Sequence, residues 1–144
     1  MKRVAFVLAD GRRLKGLVNA FDPVEMRSVS VREVDAQEKL IRTHDLDVQA
    51  ILAAFFVDDL FSEERRGSAS ERETGEQAPA PGTGGRRVAL TTVWGERMRG
   101  DLLPHDSRGM WYEFHTVDPK RAANLKRALL SRRAIARKRP LPDG

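Results

Sequence analysis

Three histidines, scattered carboxylates and a run of arginines and lysines near the C-terminus are the side chains of this chain with chemistry to offer. Nucleophilic or acid–base catalysis needs an imidazole held beside a nucleophile and an orienting acid. His44 next to Asp45, and His105 next to Asp106, are sequence neighbours that point apart in extended chain. No two of His44, His105 and His115 have metal-ligand spacing, and with no cysteine there is neither a thiolate ligand nor a disulfide. The expectation is a protein that is not an enzyme, with no catalytic residue, no cofactor and no metal site.

Binding chemistry is richer. Lys120, Arg121, Lys126, Arg127, Arg132, Arg133, Arg137, Lys138 and Arg139 follow one another with no acid between Asp118 and Asp143. Phosphate backbones are the usual partner of such a surface. The same charges would also keep an exposed strand from pairing edge to edge, so the two readings stand side by side. Trp94, at a turn and close to Arg97 and Arg99, would put an aromatic plane beside guanidinium groups if it were exposed, the way single-stranded nucleic acid is often held. Packed inward, it would instead join the two halves of the chain. The candidate binding residues are therefore Trp94, Arg97, Arg99, Lys126, Arg127, Arg132, Arg133, Arg137, Lys138 and Arg139. Gly82-Thr83-Gly84-Gly85-Arg86 has the glycines of a phosphate loop but lacks the Gly-Lys-Ser/Thr ending and leads into a strand.

The elements that must position these residues come into view on sliding the chain along itself by 84 positions. Lys2-Arg3-Val4-Ala5 falls on Arg86-Arg87-Val88-Ala89, Gly11 on Gly95, Arg13 on Arg97 and Gly16 on Gly100. The same shift brings Asp22 onto Asp106, Leu46 onto Leu130 and Ala50-Ile51 onto Ala134-Ile135. An ungapped register with glycines at both turn positions predicts an internal duplication. Each copy reads as a short strand, a tight turn at Asp10-Gly11 or Trp94-Gly95, and a second strand. In the first copy Val29 and Val31 then mark a third strand, Leu40 and Ile41 a fourth, residues 45–49 a helical turn, and Ile51–Val57 a fifth strand. In the second copy Asp118-Pro119 is a good helix start, and 122–139 is rich in helix formers, whereas the repeat demands two strands there. The repeat is favoured, with a helical C-terminal segment as the alternative.

Between the copies, residues 62–85 have no aromatic and no aliphatic side chain larger than alanine, so a flexible linker is expected between a first unit, 1–61, and a second, 86–144. Residues 1–61 carry 9 basic and 10 acidic side chains against 14 and 6 in 86–144, so most of the net charge of +5 sits in the second unit. The opening apolar run is cut short by Asp10-Gly11-Arg12-Arg13, too soon for a secretory leader, and no stretch approaches the roughly 20 apolar residues of a membrane span. A cytoplasmic protein is expected.

The segment 4–22, with its Asp10-Gly11 turn, Gly16 in a basic strand and Asp22 after Phe21, resembles the first sequence motif of Sm-like proteins. The resemblance implies a five-stranded Sm-like or SH3-like small barrel, with Gly16 letting the second strand bend. Met26-Arg27-Ser28 stands where Sm-like RNA binders place a base-contacting asparagine, and Ile41-Arg42-Thr43-His44 lacks the Arg-Gly of the second motif, so that RNA site does not carry over. Phe55-Phe56-Val57-Asp58-Asp59, together with Asp118-Pro119 and Asn124, also resembles a little-characterised bacterial group with two such units. Arg133 and Arg137 have the Arg-x-x-x-Arg spacing of PilZ domains, which bind a cyclic dinucleotide, without the motif that must follow it.

These readings predict a mainly β protein of two tandem five-stranded small barrels joined by a disordered linker. The expected function is binding of RNA or single-stranded nucleic acid by the basic second unit. The alternative is a protein-interaction adaptor that uses exposed strand edges. The two units are also expected to satisfy some of each other's edges, as a pseudo-dimer within one chain.

Overall fold

A computed structural model describes residues 1–61 and 86–141. The expected linker, 62–85, lies outside the described residues. The first half forms β1 (Lys2–Leu8), β2 (Arg13–Val18), β3 (Ser28–Val34), β4 (Leu40–Asp47), a 3-10 turn (Val48–Ala50) and β5 (Ile51–Val57). The second half repeats the series: β6 (Arg86–Thr92), β7 (Arg97–Pro104), β8 (Trp111–Thr116), a helical turn α1 (Pro119–Ala122), β9 (Leu125–Ser131), a 3-10 turn (Arg132–Ala134) and β10 (Ile135–Pro140). β1 and β6, and the two 3-10 turns, are displaced by the full 84 positions at both ends.

Local chemistry explains these elements. Val4, Phe6 and Leu8 alternate along β1 and are all buried. The hairpin that follows closes by Leu8 N–H donating to the Arg12 carbonyl, with Gly11 at a φ of 91° that a Cβ would oppose. Its counterpart closes from Thr92 N–H to the Glu96 carbonyl, with Gly95 at 92°. The turn expected at residues 45–49 begins slightly later, because β4 runs on to Asp47, whose side chain accepts the Gln49 amide and caps the 3-10 turn. At the C-terminus the helix start is real but lasts one turn: Asp118 caps it by accepting from Lys120 N–H, after which the chain returns to strands. Pairing of β9 with two neighbours and of β10 with β6 outweighs the helix propensity of 122–139.

All ten strands belong to one antiparallel sheet in the order β10-β6-β7-β8-β9-β5-β1-β2-β3-β4. Five strands per half agrees with the expected count, and the halves meet in a continuous ladder, β5 against β9. The sheet is open, with β10 and β4 at its two ends. Each half nevertheless has its own core. Val4, Phe6, Val31 and Ile51 centre the first; Val88, Leu90, Phe114 and Leu130 centre the second. Burying a side chain such as Phe6 or Phe114 is worth about 1.5–3 kcal/mol.

Around the junction both faces of the sheet are buried. Ala54 and Phe56 of β5 and Leu129 of β9 face the first core, whereas Ala53, Ala128 and Leu130 face the second. Trp111 and Tyr112, neighbours on β8, divide in the same way: Trp111 enters the first core, edge to face with Phe21 at 6.1 Å, and Tyr112 packs on the second. Strand alternation therefore ties the two halves through side chains as well as backbone.

Candidate nucleic-acid interface

Cross-strand register decides which basic side chains share a surface, since residues paired across a ladder project to one face. In β6 and β7 the pairs are Thr91 with Arg97, Leu90 with Met98, and Ala89 with Arg99. Leu90 and Met98 are buried in the second core, so Thr91, Ala89, Arg97 and Arg99 lie on the other face. On the far side of β6, Arg137 pairs with Thr91 and Arg139 with Ala89. Two rows result, Arg137-Thr91-Arg97 and Arg139-Ala89-Arg99, and all four arginines are exposed.

The geometry follows from sheet dimensions. Arginines two positions apart on one strand are separated by about 6.5–7 Å, and those on β7 and β10 by about 9.5 Å, twice the strand spacing. β6 between them presents Thr91 and Ala89, which leaves a shallow trough flanked by arginines, and none of the described residues paired in these rows is a carboxylate. The next acid along this face, Asp101, is 2% exposed and is held by Arg87, whose Nε donates to Oδ1 at 3.0 Å.

The other expected residues are elsewhere. Lys138 falls on the core-facing side of β10 and sits over the Tyr112 ring, 5.4 Å from its centroid. Lys126 makes an ion pair with Asp58 at 3.0 Å. Arg127 lies over Phe56 at 5.3 Å from the ring centroid. Arg132 is exposed at the second 3-10 turn, and neighbouring Arg133 donates from Nη2 to the Gln49 carbonyl at 2.7 Å, a bond between the halves.

Trp94 packs against the second core, apart from the arginine rows. Its indole meets Phe55 of the first half edge to face at 6.3 Å, and its Nε1 donates to Glu96 Oε1 at 2.9 Å. The other Glu96 oxygen accepts from Arg121. Composition and repeat alignment gave no sign of Phe55 or Glu96 as partners of Trp94: Phe55 stands in a segment singled out only for its resemblance, and Glu96 in none.

A second meeting of the halves involves residues that the sequence did single out. Asn124 accepts the Asp59 amide on Oδ1 at 2.7 Å, donates from Nδ2 to the Asp59 carbonyl at 2.9 Å, and takes the Asp58 amide on its own carbonyl. The acidic end of β5 and the asparagine after Asp118-Pro119 are thus one clamp.

The histidines sit beside carboxylates: His44 with Glu33 at 2.8 Å, His115 with Glu113 at 2.7 Å, and His105 with Asp22 across the halves at 3.4 Å. Burial works to raise the Asp22 carboxyl, but the Val24 amide and the His105 imidazole outweigh it and hold the group below its usual value. Among the described residues no group of three or more His, Asp or Glu could hold a metal ion. No protein-family model matches the chain, and no curated protein or solved structure is significantly similar to it.

Proposed function

We propose that this chain is a non-enzymatic binding module of two Sm-like or SH3-like small-barrel units, derived by internal duplication, whose basic second unit holds RNA or single-stranded nucleic acid. The observation that carries the reading is the placement of Arg97, Arg99, Arg137 and Arg139 on one exposed face, two on each side of the small residues of β6. A phosphate backbone laid along the trough would meet guanidinium groups from both walls. Affinity would come from charge and counterion release, and with no base-reading side chain in the rows, sequence preference would be slight. The reading takes the protein to be cytoplasmic; among the described residues no helix is long and apolar enough to cross a membrane.

Fluorescence anisotropy with short RNA and DNA single strands at low salt tests this. Binding that weakens by roughly a decade or more between about 50 and 200 mM salt is expected if several phosphates are contacted. Absence of binding at the low end of that range would dispose of it.

A second reading, a protein-interaction adaptor, is favoured by β4. That strand has one neighbour, and its Leu40 and Ile41 are 60% and 54% exposed. A strand with one edge open among the described residues, and apolar side chains on it, is suited to accepting a strand from another chain.

A further inference from the structure

The two rows of arginines have a period as well as a charge. Thr91 and Ala89 stand two positions apart on β6, and so do the residues that flank them, Arg97 and Arg99 on β7 and Arg137 and Arg139 on β10. A two-residue step of a β-strand advances about 6.5–7 Å. It runs through the N–Cα, Cα–C and C–N bonds, each of them twice. A one-nucleotide step of a nucleic-acid backbone runs through P–O5′, O5′–C5′, C5′–C4′, C4′–C3′, C3′–O3′ and O3′–P, the same number of bonds. Drawn out, the two kinds of chain therefore have nearly the same interval.

We propose that the trough measures the phosphate interval of an extended phosphodiester strand, which lies along β6 with one phosphate on each rung, between an arginine of β7 and one of β10. The proposal rests on the nucleic-acid reading and narrows it. The ligand class is a drawn-out single strand with one phosphodiester per nucleotide-length repeat, and its sugars and bases are not read.

The floor and the walls suit such a strand. Thr91 and Ala89 are small and partly exposed, so a backbone can settle between the arginines, with the Thr91 hydroxyl able to donate to a phosphate oxygen. β6 is paired on both sides, so no wall can slide along it without breaking a ladder and turning buried Leu90 and Met98 outward. The interval is thus fixed by the fold. The trough also has two ends. On the next rung Arg87 is bonded to buried Asp101, and past Thr91 the chain turns through the hairpin closed between Thr92 and Glu96.

Other polyanions miss this interval. Inorganic polyphosphate repeats after a single bridging oxygen, which crowds its charges, and a strand whose phosphates are joined by hexanediol has a repeat too long for the rungs. A strand joined by propanediol keeps the nucleotide's count of backbone bonds while carrying neither sugar nor base.

Competition against a fluorescent DNA single strand at fixed low salt tests this, with unlabelled DNA, propanediol-phosphate, hexanediol-phosphate and inorganic polyphosphate of equal phosphate number. The propanediol strand is expected to compete about as well as DNA. The hexanediol strand and polyphosphate are expected to be weaker by roughly tenfold or more, because each leaves the charge-assisted bonds of a rung unmade.

Two double variants remove equal charge in different directions. Arg97→Ala with Arg137→Ala deletes one rung and is expected to erase the preference for propanediol over hexanediol. Arg97→Ala with Arg99→Ala deletes one wall, and is expected to keep the preference at lower affinity. Competition that follows phosphate number alone would overturn the proposal, as would a preference that survives loss of a rung or a propanediol strand that fails to compete. Those results leave the nucleic-acid reading standing, whereas a labelled strand that does not bind at all defeats both.

Discussion

Trp94 of the β6–β7 hairpin and Phe55 of β5 meet edge to face, their ring centroids 6.3 Å apart and nearly perpendicular at 85°. The contact joins residues from the two halves, and Glu96 fixes the indole by taking its N–H. Trp94→Ala is expected to destabilise the protein by about 1–3 kcal/mol, less than truncation of a fully buried tryptophan because Trp94 is only partly buried. Trp94→Phe should restore most of the loss. Urea denaturation checks both. With the indole turned to the core, Trp94→Ala should weaken oligonucleotide binding less than it weakens the fold.

Arg87 and Asp101 form the most deeply placed ion pair of the described residues, with side chains 15% and 3% exposed. Removing one member of such a pair takes a buried counter-charge from the other. Asp101→Ala is therefore expected to cost about 3–5 kcal/mol. Arg3 and Glu38, an exposed pair at 3.1 Å, supply the control: Glu38→Gln should change stability by no more than about 1 kcal/mol. Chemical denaturation of the two variants side by side decides whether burial sets the difference.

Gly16 and Gly100, 84 positions apart, stand in similar surroundings. A Cβ at Gly16 would overlap the Arg32 carbonyl of β3, and one at Gly100 the His115 carbonyl of β8, so each glycine lets the neighbouring strand pass close over it. Alanine at either site forces backbone apart and is expected to cost about 1–3 kcal/mol, measured by thermal or urea unfolding. The two effects should be similar, since the two surroundings are.

These glycines also mark how far the sequence could be read. Alternation in Val4-Ala5-Phe6-Val7-Leu8, the turns at Gly11 and Gly95, and the 84-residue shift were enough to place five strands in each half and to prefer strands over helix after α1. Alternation reports which side chains share a face of a strand, but not which strand lies alongside. The β5·β9 ladder was therefore invisible, and with it the burial of Ala53 and Ala54 in different cores. The candidate surface divided for the same reason. Arg137 and Lys138 are neighbours in a basic run, yet one stands in the arginine rows and the other over Tyr112 on the opposite face.

Asp22 bears on acid stability. Its carboxyl is held below the usual value: burial opposes this, and the Val24 amide and then His105 more than offset it. A carboxylate whose folded value is depressed stabilises the fold above its unfolded value, near pH 4, and that contribution is lost as pH falls through the folded value. Asp22→Asn should be less stable than the wild type at neutral pH, with the gap closing on acidification below about pH 4. Unfolding curves across pH 2–7 measure this. A gap that stays constant would show that the charge of Asp22 contributes nothing to the fold.

The ten basic and aromatic candidates can be ranked by what already holds them. Lys126 is paired with Asp58, Arg133 is bonded to the Gln49 carbonyl and Lys138 lies over Tyr112. A phosphate would have to displace these contacts, whereas Arg97 and Arg99 stand exposed on the open face. Each of these two that contacts a phosphate should contribute about 0.7 to the slope of log affinity against log salt for a single strand. The double substitution Arg97→Ala with Arg99→Ala is accordingly expected to flatten that slope by about 1.4. Lys126→Ala should leave it nearly unchanged. Anisotropy titrations at several salt concentrations separate the two outcomes. Equal losses for both variants would mean that affinity follows total charge, with no part played by the arrangement of the arginine rows.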